Sequence, residues 1–363
     1  MSAAALVERE SVGDTLAVEL ASRGWSQADF AEIIGRPVQF VSEIIAGKKE
    51  LTRESAAQFA VAFDSTPQFW LNLQDSYLLW LQERDQAVSN KLDDVRLRKR
   101  LRELAPIALL VRRGTIPAAP LQAQVKAVEQ LYDIDSIWDE PQLVLAAKRS
   151  NLDEPLSSTQ QAWVALAQRA AEIKQTGPYS RAALDRLARE LPRVARTPGA
   201  FAELPDLFAE SGVALVYVEA LPSSKIDGCS FIVGTSGQPA IALSGRGKRL
   251  DKVLFALLHE VAHILLGHLD DRPIILDEHH DGPPTLGVEA DADSAAVAWV
   301  LPTALPPIPM RIRVGWVDQV ATSYKVHPIV LVGQLQKRGV LDWRTALVRG
   351  APNVDDQLQR WNG

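Results

Sequence analysis

Apolar positions change texture twice along the chain. Between residues 12 and 82 they recur at helical spacing in short runs, most of them bounded by capping residues or glycine. Ser26 and Thr52 stand where N-caps belong. Pro37 suits the first turn of a helix running to about Ala46, and Gly47 suits its end. Gly24 and Gly35 punctuate the earlier connections. The run from Pro67 to Leu81 carries Phe69, Trp70, Leu71, Leu73, Tyr77, Leu78 and Trp80, and predicts a closing helix packed on the others.

Residues 83–200 continue as helices, broken by Pro106, Pro117, Pro120 and Pro141. Lys91, Arg96, Arg98, Lys99, Arg100 and Arg102 cluster at their start. They read as a solvated helix face, with a DNA-backbone or partner contact as the alternative. Residues 160–196 place Ala, Leu and Arg at helical spacing, as packing scaffold does. From about Phe201 the pattern shortens: Val213–Glu219, Gly228–Val233 and Pro239–Ser244 are β-type runs bounded by Gly, Pro and Ser. The expected architecture is mainly α with a small α+β C-terminal domain. Residues 1–85 form a five-helix domain, 86–200 a helical linker and scaffold region, and 201–350 a domain with a short three-stranded sheet.

Composition adds exclusions. A formal net charge of -6 argues against a non-specific nucleic-acid coat protein, but leaves room for a reader with a local basic patch. The single cysteine, Cys229, has no internal disulfide partner. Met1 to Gly13 is acidic and lacks the apolar run of a signal peptide, and no stretch approaches the roughly 20 apolar residues that span a bilayer. A cytoplasmic protein with no membrane partner is expected.

The segment Lys252–His268 is apolar at helical spacing and carries His259-Glu260-Val261-Ala262-His263. Histidines four apart project from one helix face and can share one Zn²⁺ at about 2.0–2.1 Å. Glu260, rotated about 100° from His259, is better placed to take a proton from a zinc-bound water than to join the ligands. A catalytic zinc has three protein ligands and an open position. The helix predicted over Gly287–Pro302 offers Glu289 as third ligand and Asp293, one turn on, as the carboxylate that orients a ligand histidine. Asp291 is the rival ligand on a different face. A plain acidic helix start, favoured by the macrodipole, is the bland alternative.

Together the strands, Ile226-Asp-Gly-Cys-Ser-Phe231, HEVAHILLGH (259–268) and EADADSAAVAWVLP (289–302) resemble the ImmA/IrrE family of zinc metallopeptidases, over roughly residues 200–340. The resemblance implies a gluzincin-like, zincin fold and cleavage of a protein substrate, often a repressor or partner regulator. Ser294-Ala295 stands where that family commonly has a bulkier aromatic, and the ligands are intact.

Four histidines lie outside this set. His268, about 140° round the helix from His263, reads as structural or as an outer support. His279 and His280 read as exposed in an acidic loop, with a gating role as the alternative. His327, in Tyr324-Lys-Val-His-Pro328, is either a turn histidine or a donor to the oxyanion of a tetrahedral intermediate. Cys229 reads as a buried strand residue.

At the other end, Ser26–Gly35 and Arg36–Gly47 fit two helices joined by a tight turn. Ala31 is small where they cross, and Val41 and Ile44 face the core. In such a pair the early residues of the second helix, here Val38, Gln39, Phe40 and Glu43, read bases, while Gln27, Lys48 and Lys49 meet phosphate. With the extension GKKELTRESAAQFAVAFDSTPQFWLNLQ (47–74), the block resembles the Cro/repressor-type (XRE) helix-turn-helix family and its HigA-type antitoxins, over residues 10–82. That implies a double-stranded DNA operator, a homodimer and a toxin partner. Glu43, and an excess of acidic over basic residues in 1–85, leave a protein-interaction module as the alternative. The combined expectation is an antitoxin-like transcriptional regulator with a zinc endopeptidase domain that cleaves a regulatory partner. The alternatives are a non-catalytic antitoxin whose metal domain senses or binds a toxin, and a vestigial site.

Overall fold

The structure, a computed structural model, describes residues 10–141, 148–149, 156–234, 237–271, 273–278 and 287–362. The N-terminal stretch read for a signal peptide lies mostly outside these residues, and His279 and His280 lie wholly outside them. The chain divides into two compact units, Met1–Arg96 and Leu97–Gly363.

The first unit holds α1 (Val12–Arg23), α2 (Gln27–Ile33), α3 (Val38–Ile45), α4 (Arg53–Ala62) and α5 (Pro67–Arg84). Ser11, Ser26 and Thr52 close capping boxes with Asp14, Asp29 and Ser55, so otherwise orphaned amides at three helix starts are satisfied locally. Gly35, at φ 64°, turns the chain from α2 into α3, a conformation that a Cβ disfavours. The core gathers Leu16, Phe30, Ala31, Val41, Ile44, Phe59 and Trp70. Phe30 stacks on Phe63 at 4.8 Å and meets Phe59 edge-on at 5.0 Å, and the Trp70 indole donates to Ser65 Oγ at 2.9 Å.

The second unit is built on a five-stranded sheet, where three strands were expected. Strands β1 (Lys148–Arg149), β2 (Ala214–Tyr217), β3 (Ile226–Val233), β4 (Gln238–Leu243) and β5 (Ile274–Glu278) lie in the order β1-β5-β3-β4-β2. β3 runs antiparallel to both β4 and β5, while the pairs β2–β4 and β1–β5 are parallel. Side chains alternate between two buried faces. Ala214, Val216, Ala240, Ala242, Ile274 and Leu276 enter one core; Leu215, Tyr217, Ile241, Leu243 and Ile275 enter the other. A register shift between Ile226 and Gly228 breaks the alternation, so that Cys229 and Phe231 join Ile226 in the first core.

Helices cover both faces. The end of α6 (Gln86–Leu104), with α7 (Ile107–Arg112), α8 (Leu121–Tyr132) and α9 (Ser158–Glu172), builds the first core. Its largest anchor is Trp163, fully buried, with Nε1 donating to the Val218 carbonyl at 2.8 Å. The second core takes α10 (Arg181–Val194), α11 (Leu204–Glu210), α12 (Leu250–Leu265), α14 (Val288–Val300), α15 (Val314–Tyr324), α16 (Pro328–Lys337) and α17 (Asp355–Gln359); α13 (His268–Asp271) follows α12. Of the 86–200 stretch read as linker and scaffold, the described residues from Leu97 onward are thus structural layers of the sheet domain. That domain continues past 350 through Leu358 and Trp361, whose indole donates to the Phe201 carbonyl at 2.7 Å. The basic cluster is partly used in folding as well: Arg100 donates to the Ile137 and Asp139 carbonyls, both at 2.9 Å.

Candidate functional site

Helix α12 is apolar on nearly every side because both neighbours bury it: Leu254, Leu257, Leu258 and Val261 are fully enclosed. His259, Glu260 and His263 are buried among them. Arg181 from α10 donates to the Leu265 carbonyl at 2.6 Å and satisfies part of the helix end. Helix α14 packs along α12, with the small Ala292 and Ala296 fully buried between larger neighbours. That approach carries Glu289, in the first turn of α14, onto the histidines.

His259, His263 and Glu289 bring one ligand atom each within 4.8 Å of one another. His259 Nε2 lies 3.0 Å from His263 Nε2 and 3.1 Å from Glu289 Oε2, and Glu289 Oε1 lies 3.6 Å from His263 Nε2 with no hydrogen-bond partner among the described residues. Outer contacts assign a proton. Asp293 Oδ1 takes both the Lys337 ammonium at 2.7 Å and His259 Nδ1 at 3.0 Å, so His259 donates through Nδ1. Burial opposes charge on His259, but its hydrogen bonds to Asp293 and Glu289 outweigh that and hold its pKa well above the usual imidazole value. Burial likewise opposes ionisation of Glu289, yet the bonds to His259 and His263 keep it below the ordinary carboxylate range. Two imidazole nitrogens with a carboxylate are a donor set that fits Zn²⁺. Asp291 is exposed on α14, outside the cluster.

The Glu260 carboxylate packs against strand β3 of the sheet. Its Oε2 accepts from Ser230 Oγ on β3, and its Oε1 is buried without a partner among the described residues. A Cβ at residue 228 would meet Oε1 at 2.5 Å, so only glycine admits the carboxylate here. Asp277, paired with Gly228 across β3 and β5, stands nearby. Burial, reinforced by that neighbouring negative charge, pushes Glu260 well above the ordinary carboxylate range. Cys229 points to the opposite face, and burial pushes its thiol well up.

One histidine sits otherwise than helical projection indicates. Helix α12 ends at Leu265 instead of running to His268, and Gly267, at φ 77°, folds the chain back. His268 Nδ1 then meets His263 Nδ1 at 2.9 Å. His327 is the N-cap of α16; its Nδ1 accepts from the Ile329 amide at 3.1 Å, and it lines a cavity of about 150 Å³ with Asp318 and Arg349. None of His259, Glu260, His263 and Glu289 lines that cavity, so the turn-histidine reading matches its position. Lys337 and Ser230 carried no sequence signal, because their partners are more than 25 residues away.

On the first unit, Gln27 at the start of α2 and Val38 and Gln39 at the start of α3 are exposed, as are Lys48 and Lys49 beyond its end. Phe40 is half-buried, with Arg36 and Lys49 over its ring at 5.5 and 5.2 Å. Glu43 accepts from Gln39 at 2.8 Å and from Lys49 at 3.3 Å, and these bonds lower its pKa.

A short helix pair joined at Gly35 within a five-helix unit defines a helix-turn-helix domain. The N-terminal quarter of the chain is 34% identical over 87 residues to an uncharacterised HTH-type transcriptional regulator of Haemophilus influenzae, covering 24% of this chain and 81% of that protein. It is 41% identical over 71 residues to antitoxin HigA-1 of Vibrio cholerae, covering 19% and 67%. A solved antidote protein of the HigA family from Coxiella burnetii matches at 30% identity, 24% of this chain and 94% of that one, with a TM-score of 0.23. By this quarter the chain belongs to the HigA-like HTH-type transcriptional regulators. No protein-family model matches the chain. Among the described residues, no helix is long and apolar enough to cross a membrane.

Proposed function

We propose that the chain is a DNA-binding transcriptional regulator of the antitoxin type, whose second unit is a zinc-dependent endopeptidase acting on a regulatory protein partner. In this reading α3 enters the major groove of an operator, a homodimer spans two half-sites, and Lys48 and Lys49 hold phosphate. The pairing of Glu43 with Gln39 and Lys49 reduces its repulsion toward the DNA backbone.

The hydrolytic part is carried by one observation: Glu260, next to ligand-competent His259, keeps a buried carboxylate oxygen free of any partner among the described residues. His259 Nε2, His263 Nε2 and Glu289 would hold Zn²⁺, which supplies a Lewis acid and makes water a nucleophile near neutral pH. Glu260 Oε1 takes the proton of the attacking water and returns it to the leaving amine. Ser230 engages the other oxygen and fixes which one is free. Burial and the neighbouring Asp277 charge raise the proton affinity of Glu260, which suits a residue that both accepts and returns a proton. Asp293, braced by Lys337, keeps the His259 lone pair on Nε2.

The test is metal content and cleavage in the full chain, with the neighbouring gene's product as substrate. Wild type should carry one zinc and cut; Glu260→Gln should keep the zinc and lose cutting. Identical behaviour of the two proteins removes the peptidase claim. A second reading, a sensing metal site without catalysis, is favoured by enclosure: His259 and Glu289 are each only 4% exposed and His263 is fully buried. It predicts zinc in both proteins and cleavage in neither.

A further inference from the structure

We infer that His268 is a positioning residue of the metal centre: it accepts the Nδ1 proton of His263 and thereby keeps the His263 Nε2 lone pair turned toward His259 and Glu289. The inference rests on the zinc reading above and deepens it.

The two ligand histidines face the same problem. Each ring carries one proton when neutral, and a ring that is to offer Nε2 must keep that proton on Nδ1. A buried N–H needs an acceptor. For His259 the acceptor is Asp293, which cannot itself donate while it holds Lys337 at 2.7 Å. For His263, among the described residues, the one partner of Nδ1 is His268 Nδ1 at 2.9 Å. Only two proton placements satisfy that contact in neutral rings. If His268 donated, the His263 proton would move to Nε2 and point at His259 Nε2, 3.0 Å away, blocking the position a cation needs. If His263 donates, its Nε2 joins the His259 nitrogen and the Glu289 carboxylate as a third electron-pair donor. The second placement alone gives the donor set of a metal site.

The backbone supports this use of His268. A helix continued past Leu265 would carry residue 268 away from residue 263, as the helical projection requires. Termination at Leu265 and the left-handed turn at Gly267 bring the imidazole back onto His263, with ring centroids 5.1 Å apart. His268 is half-buried, whereas His263 is fully enclosed, so the outer ring shields the inner nitrogen from water.

The experiment compares zinc affinity in the full-length wild type, His268→Phe and His268→Asn, by competition with a chromogenic chelator. Thermal melting of the metal-free proteins controls for folding. Phenylalanine keeps a ring but has no acceptor; asparagine places Oδ1 where histidine has Nδ1. Loss of an outer support typically costs about 10- to 100-fold in metal affinity. The expected result is a loss of that size for Phe, recovery to within about threefold for Asn, and unchanged metal-free melting. Cobalt substitution should give a shifted d–d band in the Phe variant alone. Wild-type affinity in His268→Phe, or equal losses in Phe and Asn, overturns the inference while the zinc site stands. A wild type that binds no zinc overturns the zinc reading, and this inference falls with it.

Discussion

The two units solve the problem of placing polar groups in different ways. In the first, decisive contacts are local: Ser26 caps Asp29, Thr52 caps Ser55, and Gln39 pairs with Glu43. In the second, they span the chain: His259 to Asp293 is 34 residues and Ser230 to Glu260 is 30. Local polar contacts fix where helices begin and leave the core to apolar packing. Distant ones make the fold itself part of the chemistry, because a small shift between elements unmakes the site.

That contrast can be broken most forcefully from the packing side. Phe30→Ala removes a fully buried ring from the first unit and should cost about 3–5 kcal/mol by chemical denaturation. If the units are separable in energy, zinc stoichiometry stays unchanged; loss of zinc in the same variant refutes the separation. Gly228→Ala comes next. The added methyl collides with the Glu260 carboxylate, and on the proposed peptidase reading displacing it by about 1 Å costs on the order of a hundredfold in rate. Zinc should stay bound, and unaltered cleavage by this variant would contradict the role given to Glu260. Lys337→Met keeps a long side chain and removes the brace on Asp293, so zinc affinity should fall about tenfold with the fold intact.

Smaller effects test the local side. Thr52→Ala should destabilise the first unit by about 1 kcal/mol, read from its melting curve, with no change in zinc binding by the second. The capping aspartates Asp14 and Asp29 have lowered pKa values through side-chain hydrogen bonds from Ser11 and Ser26. Their contribution is complete above the ordinary carboxylate pKa and is lost as pH falls through the lowered values. An acid titration of Ser26→Ala should flatten this slope; an identical slope would show that the box contributes nothing.

The same contrast governs what the sequence discloses. Caps, turns and the spacing of His259 and His263 follow from neighbours within one or two helical turns, and they are legible. Glu289 and Asp293 were legible because their own four-residue spacing matched what the histidines lacked. Strand β5 was hidden because Ile274-Ile-Leu276 is too short a run to separate strand from loop. The use of residues 97–200 was hidden for a related reason: an apolar stripe states that a helix is covered, without naming the sheet face that covers it. The place of His268 differs from helical projection because the helix ends three residues before it. Lys337 and Ser230 act through distant partners, and residues of that kind leave no periodic trace.

The buried thiol of Cys229 has a practical consequence. It is the chain's one sulfhydryl, and it is packed into the sheet face away from Glu260 with its acidity suppressed. Native protein at neutral pH should be inert to maleimides and iodoacetamide, becoming reactive only on unfolding. A cysteine introduced at an exposed position such as Gln39 is then a single address, ready for a fluorophore or spin label with no background to subtract.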